Sequence, residues 1–157
     1  MLMENSLTKS LEDYLEAILL LEQEHRVARV KDIAHQLNVQ MPSVTGALKS
    51  LKKKELIHYE KNSFIRLTEK GLTIAQSIYR RHEILLTFLE KILLLPHDKA
   101  EEAACKIEHT LDSATAHRIE RLSGFLQASL LDSSQIPQEK WQAFLEDELD
   151  IDSLMDG

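Results

Sequence analysis

The fold is decided by residues 30–68, which read VKDIAHQLNVQMPSVTGALKSLKKKELIHYEKNSFIRLT. Apolar residues recur at helical spacing over residues 30–37 and again over residues 42–54, which predicts two short helices joined by a tight turn. Pro42 favours the first turn of the second helix, where its missing N–H is not needed. Apolar and polar residues then alternate through residues 56–68, which predicts a β-hairpin. This order of elements predicts a winged helix-turn-helix.

Most of the remaining chain is predicted to be helical. Helical periodicity covers residues 10–23, where Ser10 followed by Asp13 resembles an N-terminal capping pattern. Three more helices are predicted after the hairpin, over residues 69–93, 98–111 and 113–128. The chain holds only four Gly and three Pro, too few for an all-β fold rich in turns. The fold class is therefore mainly α.

These elements divide the chain into three parts. A winged helix-turn-helix domain is expected over residues 1–71, with its hairpin turn at Lys61, Asn62 and Ser63. A helical domain is expected over residues 72–130. An acidic C-terminal tail follows over residues 131–157, and one short helix is expected there around Trp141, Phe144 and Leu145.

Charge is unevenly distributed along the chain. The net charge is −7, yet residues 25–71 hold ten Lys or Arg and only four Asp or Glu. Residues 1–24 and 72–157 are both acidic, so a basic middle lies between acidic flanks. A basic segment binds phosphate locally even when the whole molecule is an anion. Because this segment coincides with the predicted winged helix-turn-helix, double-stranded DNA is the expected partner.

The sequence favours a cytoplasmic location. Cys105 is the only cysteine, so no intramolecular disulfide can form, which indicates a reducing compartment. No apolar run reaches the roughly 18 residues that a membrane-spanning helix needs. The first residues lack the basic and apolar regions of a signal peptide. We therefore expect a cytoplasmic protein with no membrane partner.

The second helix of the motif carries the residues expected to contact DNA, because a recognition helix meets base edges with its N-terminal residues. Gln40, just before it, is the best candidate for a hydrogen bond to a base. Small residues that permit close approach to the groove are Pro42, Ser43, Thr45 and Gly46. Basic residues expected to contact phosphates are Arg29, Lys31, Lys49, Lys52, Lys53 and Arg66. The alternative for the lysines, an ordinary solvated face, is disfavoured by the order of the elements and the local charge.

A second group of residues has the spacing of a metal site. Cys105, Glu108 and His109 stand at positions i, i+3 and i+4 of a predicted helix, which places them on one face. A thiolate, a carboxylate and an imidazole together suit a transition-metal ion. The alternative is a structural role, because cysteine is often a small buried hydrophobe and Glu–His pairs are common on helices.

Several stretches of the chain resemble the diphtheria toxin repressor family of iron- and manganese-responsive regulators. They are LEDYLEAILLL (11–21), ARVKDIAHQLNVQMPSVTGALKSLKKKELI (28–57), RLTEKG (66–71), YRRHEILLTFL (79–89) and EAACKIEHTLD (102–112). The resemblance covers most of residues 10–125 and matches the two-domain form of the family. It implies a repressor that binds palindromic operator DNA as a homodimer when loaded with metal, through a helical domain that serves metal binding and dimerisation.

Carried over position by position, the resemblance implies one set of metal ligands. The set is Asp13, Glu16, His82, Cys105, Glu108 and His109. The two carboxylates of the first helix match the manganese-sensing branch, whereas Cys105 matches the iron-sensing branch. Family members also bind a second ion nearby, for which Glu101 and Glu102 are the candidates. Leu86 stands where a further acidic ligand of that second site is expected.

Cys105 bears on which metal is bound. A thiolate is softer than a carboxylate and favours Fe(II), Co(II) or Zn(II) over Mn(II). Fe(II) is the expected cofactor, Mn(II) is the close alternative, and Co(II) or Zn(II) is expected to substitute in vitro. Shared coordination is expected to replace repulsion between the carboxylates and to tie the first helix to the helical domain. This would fix the spacing of the two recognition helices in the dimer.

Two other classes of function are open from the residues alone. A winged-helix regulator that responds to an organic ligand or to a redox signal would use Cys105 as its switch. A helical metalloenzyme would need paired Glu-x-x-His motifs on facing helices, which the predicted helices do not offer. Neither a nucleophile elbow nor a phosphate loop is present. The sequence therefore predicts neither an enzyme nor a small organic substrate.

Overall fold

The computed structural model describes residues 7–60, 63–131 and 135–155. The predicted hairpin turn at Lys61 and Asn62 lies outside the described residues. The chain forms two compact units, which divide after Arg80. The described residues are mostly helical, as predicted, and include one two-stranded sheet. Within that part of the chain, none of the helices is both long enough and apolar enough to cross a membrane.

Helix α1, Lys9–His25, begins at a threonine cap. The Thr8 hydroxyl accepts a hydrogen bond from the Leu11 N–H at 3.3 Å, which satisfies one of the free N–H groups of the first turn. The predicted cap at Ser10 is wrong, because Ser10 already lies inside the helix. The inner face of α1 is buried in the core of the first unit through residues that include Leu15 and Ile18.

Helices α2, Val30–Gln36, and α3, Met41–Lys53, form the predicted helix-turn-helix. The turn between them contains Asn38, whose φ of 52° lies in the left-handed region that Asn tolerates better than most residues. Fully buried residues anchor both helices in the core, namely Ile33, Val44, Leu48 and Leu51. Burial of these residues leaves the polar face of α3 exposed.

The wing is a hairpin of two very short strands. Strand β1, Ile57–His58, pairs antiparallel with β2, Arg66–Leu67. Ala28, which lies just before α2, adds a further antiparallel bridge to Ile65. The wing is thereby tied by backbone contacts to the segment that leads into the helix-turn-helix.

Helix α4, Glu69–Thr87, starts immediately after the wing. Its close approach to the backbone before β1 requires a glycine at position 71, since a Cβ there would lie 1.9 Å from the carbonyl oxygen of Leu56. The helix continues as a π-helical turn over Phe88–Ile92, so the predicted helix over 69–93 changes its winding near its end.

The second unit contains α5, His97–Ile107, and α6, Ser113–Leu126, and a second π-helical turn follows over Gln127–Leu131. Its core is small and is formed by Leu85, Leu89, Ala100 and Ala104. Helix α6 begins at Asp112, whose carboxylate accepts the Thr115 N–H at 2.9 Å. That hydrogen bond holds the pKa of Asp112 below its usual value.

The acidic tail contains two short helices, α7 over Gln138–Leu145 and α8 over Ile151–Met155, where the sequence predicts one. Asp150 accepts a backbone N–H of the first turn of α8, a local cap that the periodicity does not reveal. The indole N–H of Trp141 donates to the carbonyl oxygen of Ile92 at 2.7 Å. Trp141 therefore ties the tail to the π-helical turn Phe88–Ile92 within the second unit.

Candidate metal centre and DNA-binding surface

His82 is the centre of a cluster of candidate ligands in the second unit. Its imidazole Nδ1 lies 2.7 Å from Oε2 of Glu108, and its Nε2 lies 3.2 Å from Oε2 of Glu101. His82 and Glu108 are buried, with 6% and 1% of their surface exposed, whereas Glu101 is half-buried. Both ring nitrogens of His82 therefore face carboxylate oxygens.

The thiol of Cys105 lies beside this cluster. Its Sγ is 3.9 Å from Nδ1 of His82, and the residue is exposed. One donor atom from each of His82, Glu101 and Cys105 lies within 4.8 Å of the other two. Sulfur, imidazole nitrogen and carboxylate oxygen are the donors that bind transition metals in proteins. The residues present therefore fit a divalent transition-metal ion.

Two further predicted ligands follow the end of α5. The helix ends at Ile107, so Glu108 and His109 lie in the turn after it rather than in a continuous helix over 98–111. Arg81 holds this turn, because its Nε donates to the backbone carbonyl of Glu108 at 2.9 Å. Nε2 of His109 lies 3.1 Å from Oε1 of Glu108, which places this carboxylate between two imidazoles. The sequence offered no hint of the Arg81 contact beyond its position next to His82.

Glu102 is not brought into the cluster. Lys106, one turn along α5, donates a hydrogen bond to its carboxylate, and this bond and the lysine charge lower the pKa of Glu102. Both side chains are exposed. Of the two carboxylates expected to bind a second ion, Glu101 contacts His82 and Glu102 instead forms a surface ion pair.

The other expected ligands, Asp13 and Glu16, lie on α1 in the first unit. They stand three residues apart, which places them next to each other on the helix surface. Both are half-buried, and the residues between them, Tyr14 and Leu15, are buried. Their assignment to the metal site stays a prediction.

The predicted DNA contacts begin at the exposed N-terminal end of α3. Gln40 precedes the helix in extended conformation, and Pro42 and Ser43 follow exposed in its first turn. Thr45 is half-buried, and its hydroxyl donates to the Met41 carbonyl at 3.1 Å. Met41 is itself an exposed apolar residue, which the sequence interpretation missed.

A basic cleft of about 920 Å³ lies between α3 and the wing. Its cations are Arg29, Lys31, Lys49 and Lys52, and its apolar lining includes Met41, Tyr59 and Phe64. Among the other predicted contacts, Lys53 and Arg66 are exposed, and Gly46 has no neighbouring heavy atom within 4 Å of an added Cβ. The exposed Phe64 was not predicted, because an apolar residue in a hairpin pattern is ordinarily assigned to the core.

A winged helix-turn-helix with a basic cleft, followed by a helical unit with candidate transition-metal ligands, is the arrangement expected of a metal-responsive transcription regulator. Comparison with known families agrees. Residues 6–65 match the iron dependent repressor N-terminal DNA binding domain. Residues 68–138 match the iron dependent repressor metal binding and dimerisation domain.

Individual relatives give the same result. An uncharacterised HTH-type transcriptional regulator of Methanocaldococcus jannaschii is 35% identical over 77% of this chain and 95% of its own. The regulator MntR of Bacillus pumilus is 39% identical over 78% of this chain and 84% of its own. Among solved structures, the manganese regulator SloR superposes with a TM-score of 0.67 at 30% identity, over 76% of this chain. The match spans only 55% of the SloR chain.

The chain therefore belongs to the diphtheria toxin repressor family of iron- and manganese-dependent transcriptional regulators, and the resemblance and the fold class expected from the sequence are confirmed. It is a metal-dependent transcriptional repressor with an N-terminal DNA-binding domain and a helical metal-binding and dimerisation domain. Its named relatives are transcriptional regulators, in agreement with the expected non-enzymatic role.

Proposed function

We propose that this repressor binds palindromic operator DNA as a homodimer when it is loaded with Fe(II), and so controls metal homeostasis in the cytoplasm. The observation that carries the proposal is the cluster around His82. An imidazole, a thiol and a carboxylate meet there within 4.8 Å, and Glu108 and His109 stand beside them.

The proposed ligands come from both domains. In the helical domain they are His82, Cys105, Glu108 and His109. Glu101 is the carboxylate within 4.8 Å of His82 and Cys105, and it is also the candidate ligand for a second ion. Asp13 and Glu16 of α1 are added because they match the ligands of the manganese-sensing branch. A bound divalent cation supplies positive charge that several carboxylates can share.

The donor atoms of the cluster favour one metal over the others. Cys105 supplies a soft donor, which favours Fe(II) over Mn(II). Mn(II) is the second candidate, because MntR and the manganese regulator SloR are among the relatives. Co(II) and Zn(II) bind the same donor types and are expected to substitute in vitro.

DNA binding is assigned to the exposed face of α3 and to the basic cleft. The first turn of α3 is expected to enter the major groove, where Gln40 reaches base edges. The cations of the cleft are expected to contact the phosphate backbone. Metal and DNA are coupled, because the metal promotes binding only by favouring the state that fits DNA. By the same linkage, DNA must raise the affinity for metal by an equal factor.

Dimerisation is assigned to apolar residues that the fold of one chain leaves exposed. Leu122 and Phe125 lie one turn apart on α6, and Ile107 ends α5. All three are exposed, whereas Ala104 and its neighbours fill the core of the helical unit. Exposed apolar patches of this kind mark protein interfaces.

The test is a titration of the metal-free protein with Fe(II), Mn(II) and Zn(II) under anaerobic conditions, followed by thermal melting. A ligand that binds the native state raises the melting temperature by mass action. We expect a saturable increase in the unchanged protein, with a greater increase for Fe(II) than for Mn(II). The variant Cys105→Glu should reverse that order, because it replaces the soft donor with a hard one.

Two variants and one control make this test specific. Cys105→Ala and His109→Ala should each lose most of the increase. Glu102→Gln should keep it, because Glu102 lies on the same helix but forms only an exposed ion pair. No increase with any metal would overturn the sensor and leave a winged-helix DNA binder with another trigger. In that case oxidation of the exposed Cys105 would be the next candidate.

A further inference from the structure

An exposed aromatic residue of the wing contacts one of the cations of the basic cleft. The Cζ atom of Arg29 lies 5.2 Å from the centroid of the Phe64 ring, within the range of a cation–π interaction. Phe64 is 51% exposed, so it does not serve chiefly as a core residue. A half-exposed phenylalanine at a DNA-binding surface requires another explanation.

The backbone explains why these two side chains meet. Ala28 and Ile65 form an antiparallel bridge, in which the Ile65 N–H donates to the Ala28 carbonyl at 3.0 Å. In this register the next residue after Ala28 stands opposite the residue before Ile65. These residues are Arg29 and Phe64, and directly opposed residues of antiparallel segments are the pairs whose side chains interact. The register of the bridge therefore places both side chains on the same side of the paired segments, within reach of each other.

The charges of the cleft around Arg29 indicate what the contact does. Arg29 shares the cleft with Lys31, Lys49 and Lys52, and Glu60 is the carboxylate of the same lining, so the cleft is net positive. The negative face of an aromatic ring attracts a guanidinium that stacks on it. The guanidinium N–H groups point outward in this arrangement and remain able to bind phosphate. A long arginine side chain otherwise loses much rotamer freedom when it binds, which weakens the contact.

We propose that Phe64 is a positioning residue, which holds Arg29 in the orientation that binds a DNA phosphate. This inference rests on the proposed DNA-binding function and deepens it. Phe64 itself takes no base or phosphate in this arrangement; it acts through Arg29. The rival role is direct insertion of the ring into the DNA, as apolar wedges do in the minor groove.

The experiment measures binding of the full chain, loaded with Fe(II) under anaerobic conditions and in parallel with Mn(II), to a mixed-sequence DNA duplex over a series of salt concentrations. Arg29→Ala should lower the slope of log affinity against log salt by about one, because one phosphate contact is lost. Phe64→Leu should weaken binding about two- to fivefold and lower the slope in the same direction. Phe64→Tyr keeps the ring and should bind like the unchanged protein, which also separates loss of the ring from general damage to the wing.

The double variant decides between the two roles. If Phe64 acts through Arg29, Phe64→Leu should have no further effect in the Arg29→Ala background. An equal loss in both backgrounds, or no loss in either, would overturn the inference. If the unchanged protein does not bind the duplex at low salt with either Fe(II) or Mn(II), the proposed DNA-binding function fails and this inference fails with it. Normal binding with an additive Phe64 effect overturns the positioning role alone.

Discussion

His82 and Glu108 form a buried pair, in which the imidazole Nδ1 lies 2.7 Å from the carboxylate Oε2. The side chains of His82 and Glu108 are 8% and 1% exposed, so water cannot replace the hydrogen bond if either partner is removed. Removal of Glu108 leaves the buried Nδ1 of His82 without this partner, although Glu101 still contacts Nε2, and loss of one buried hydrogen-bond partner typically costs about 1–3 kcal/mol. The metal-free protein is therefore expected to depend on Glu108 for its stability.

We predict that Glu108→Ala lowers the free energy of unfolding of the metal-free protein by an amount in that range, measured by chemical denaturation. Glu108→Gln should lose much less, because the amide oxygen still accepts a hydrogen bond. Glu102→Ala is the control, since Glu102 lies on the same segment but is exposed, and it should leave stability unchanged. Equal effects of Glu108→Ala and Glu102→Ala would contradict the prediction.

Gly71 is predicted to be irreplaceable even by alanine. An added Cβ would lie 1.9 Å from the Leu56 carbonyl oxygen, and backbone cannot move aside as a flexible side chain does. We expect Gly71→Ala to lower the free energy of unfolding by about 3 kcal/mol or more. Gly46→Ala is the matched control in the same unit, because the space around it is open. Its greater helix propensity should raise stability by roughly 0.5–1 kcal/mol.

Glu22 connects α1 to the wing in a way that depends on pH. Its carboxylate Oε1 accepts the Leu67 N–H at 3.2 Å. Burial raises the pKa of Glu22 above its usual value, and this effect exceeds the opposing effects of the Leu67 N–H and the Arg66 charge. A carboxyl group whose pKa is higher in the folded than in the unfolded protein makes the folded state more stable at low pH. That stabilisation is lost as the pH rises through the folded pKa.

We therefore predict that Glu22→Gln is slightly more stable than the unchanged protein at pH 7, and that the difference disappears near pH 4 or below. Urea denaturation at both pH values would measure it. Glu24→Gln, an exposed position on the same helix, should show no such trend. A Glu22→Gln variant that is equally destabilised at both pH values would indicate that the hydrogen bond, not ionisation, dominates.

Local patterns explain how much of the fold could be predicted. The periodicity over residues 30–54 and the alternation over 56–68 each depend on neighbours in sequence, and both elements form where they were expected. The sequence pattern placed the end of α5 too late, and the Glu108 carbonyl just beyond the observed end accepts a hydrogen bond from Arg81, which lies 27 residues earlier in the chain. No local pattern reports such a contact.

The candidate site shows the same limit. The spacing of Cys105, Glu108 and His109 brought these residues into consideration, and family resemblance added His82. Glu101 and Glu102 were equally good candidates for a second ion from the sequence, because adjacent carboxylates on a helix differ only in the direction in which they project. The contact of Glu101 with His82 and the ion pair of Glu102 are tertiary features. The pairing of Arg29 with Phe64 likewise required the register of the Ala28–Ile65 bridge.

Phe125 provides the test of the proposed dimer interface. Its side chain is 62% exposed on α6, and a glutamate there would place an unpaired carboxylate in an apolar interface. We expect Phe125→Glu to weaken the dimer by about two orders of magnitude in dissociation constant, measured by analytical ultracentrifugation. Ile151→Glu is the matched control, because Ile151 is equally exposed but lies on α8 in the tail. Weakening by Ile151→Glu alone would move the interface to the tail, and a monomeric unchanged protein would refute the dimer itself.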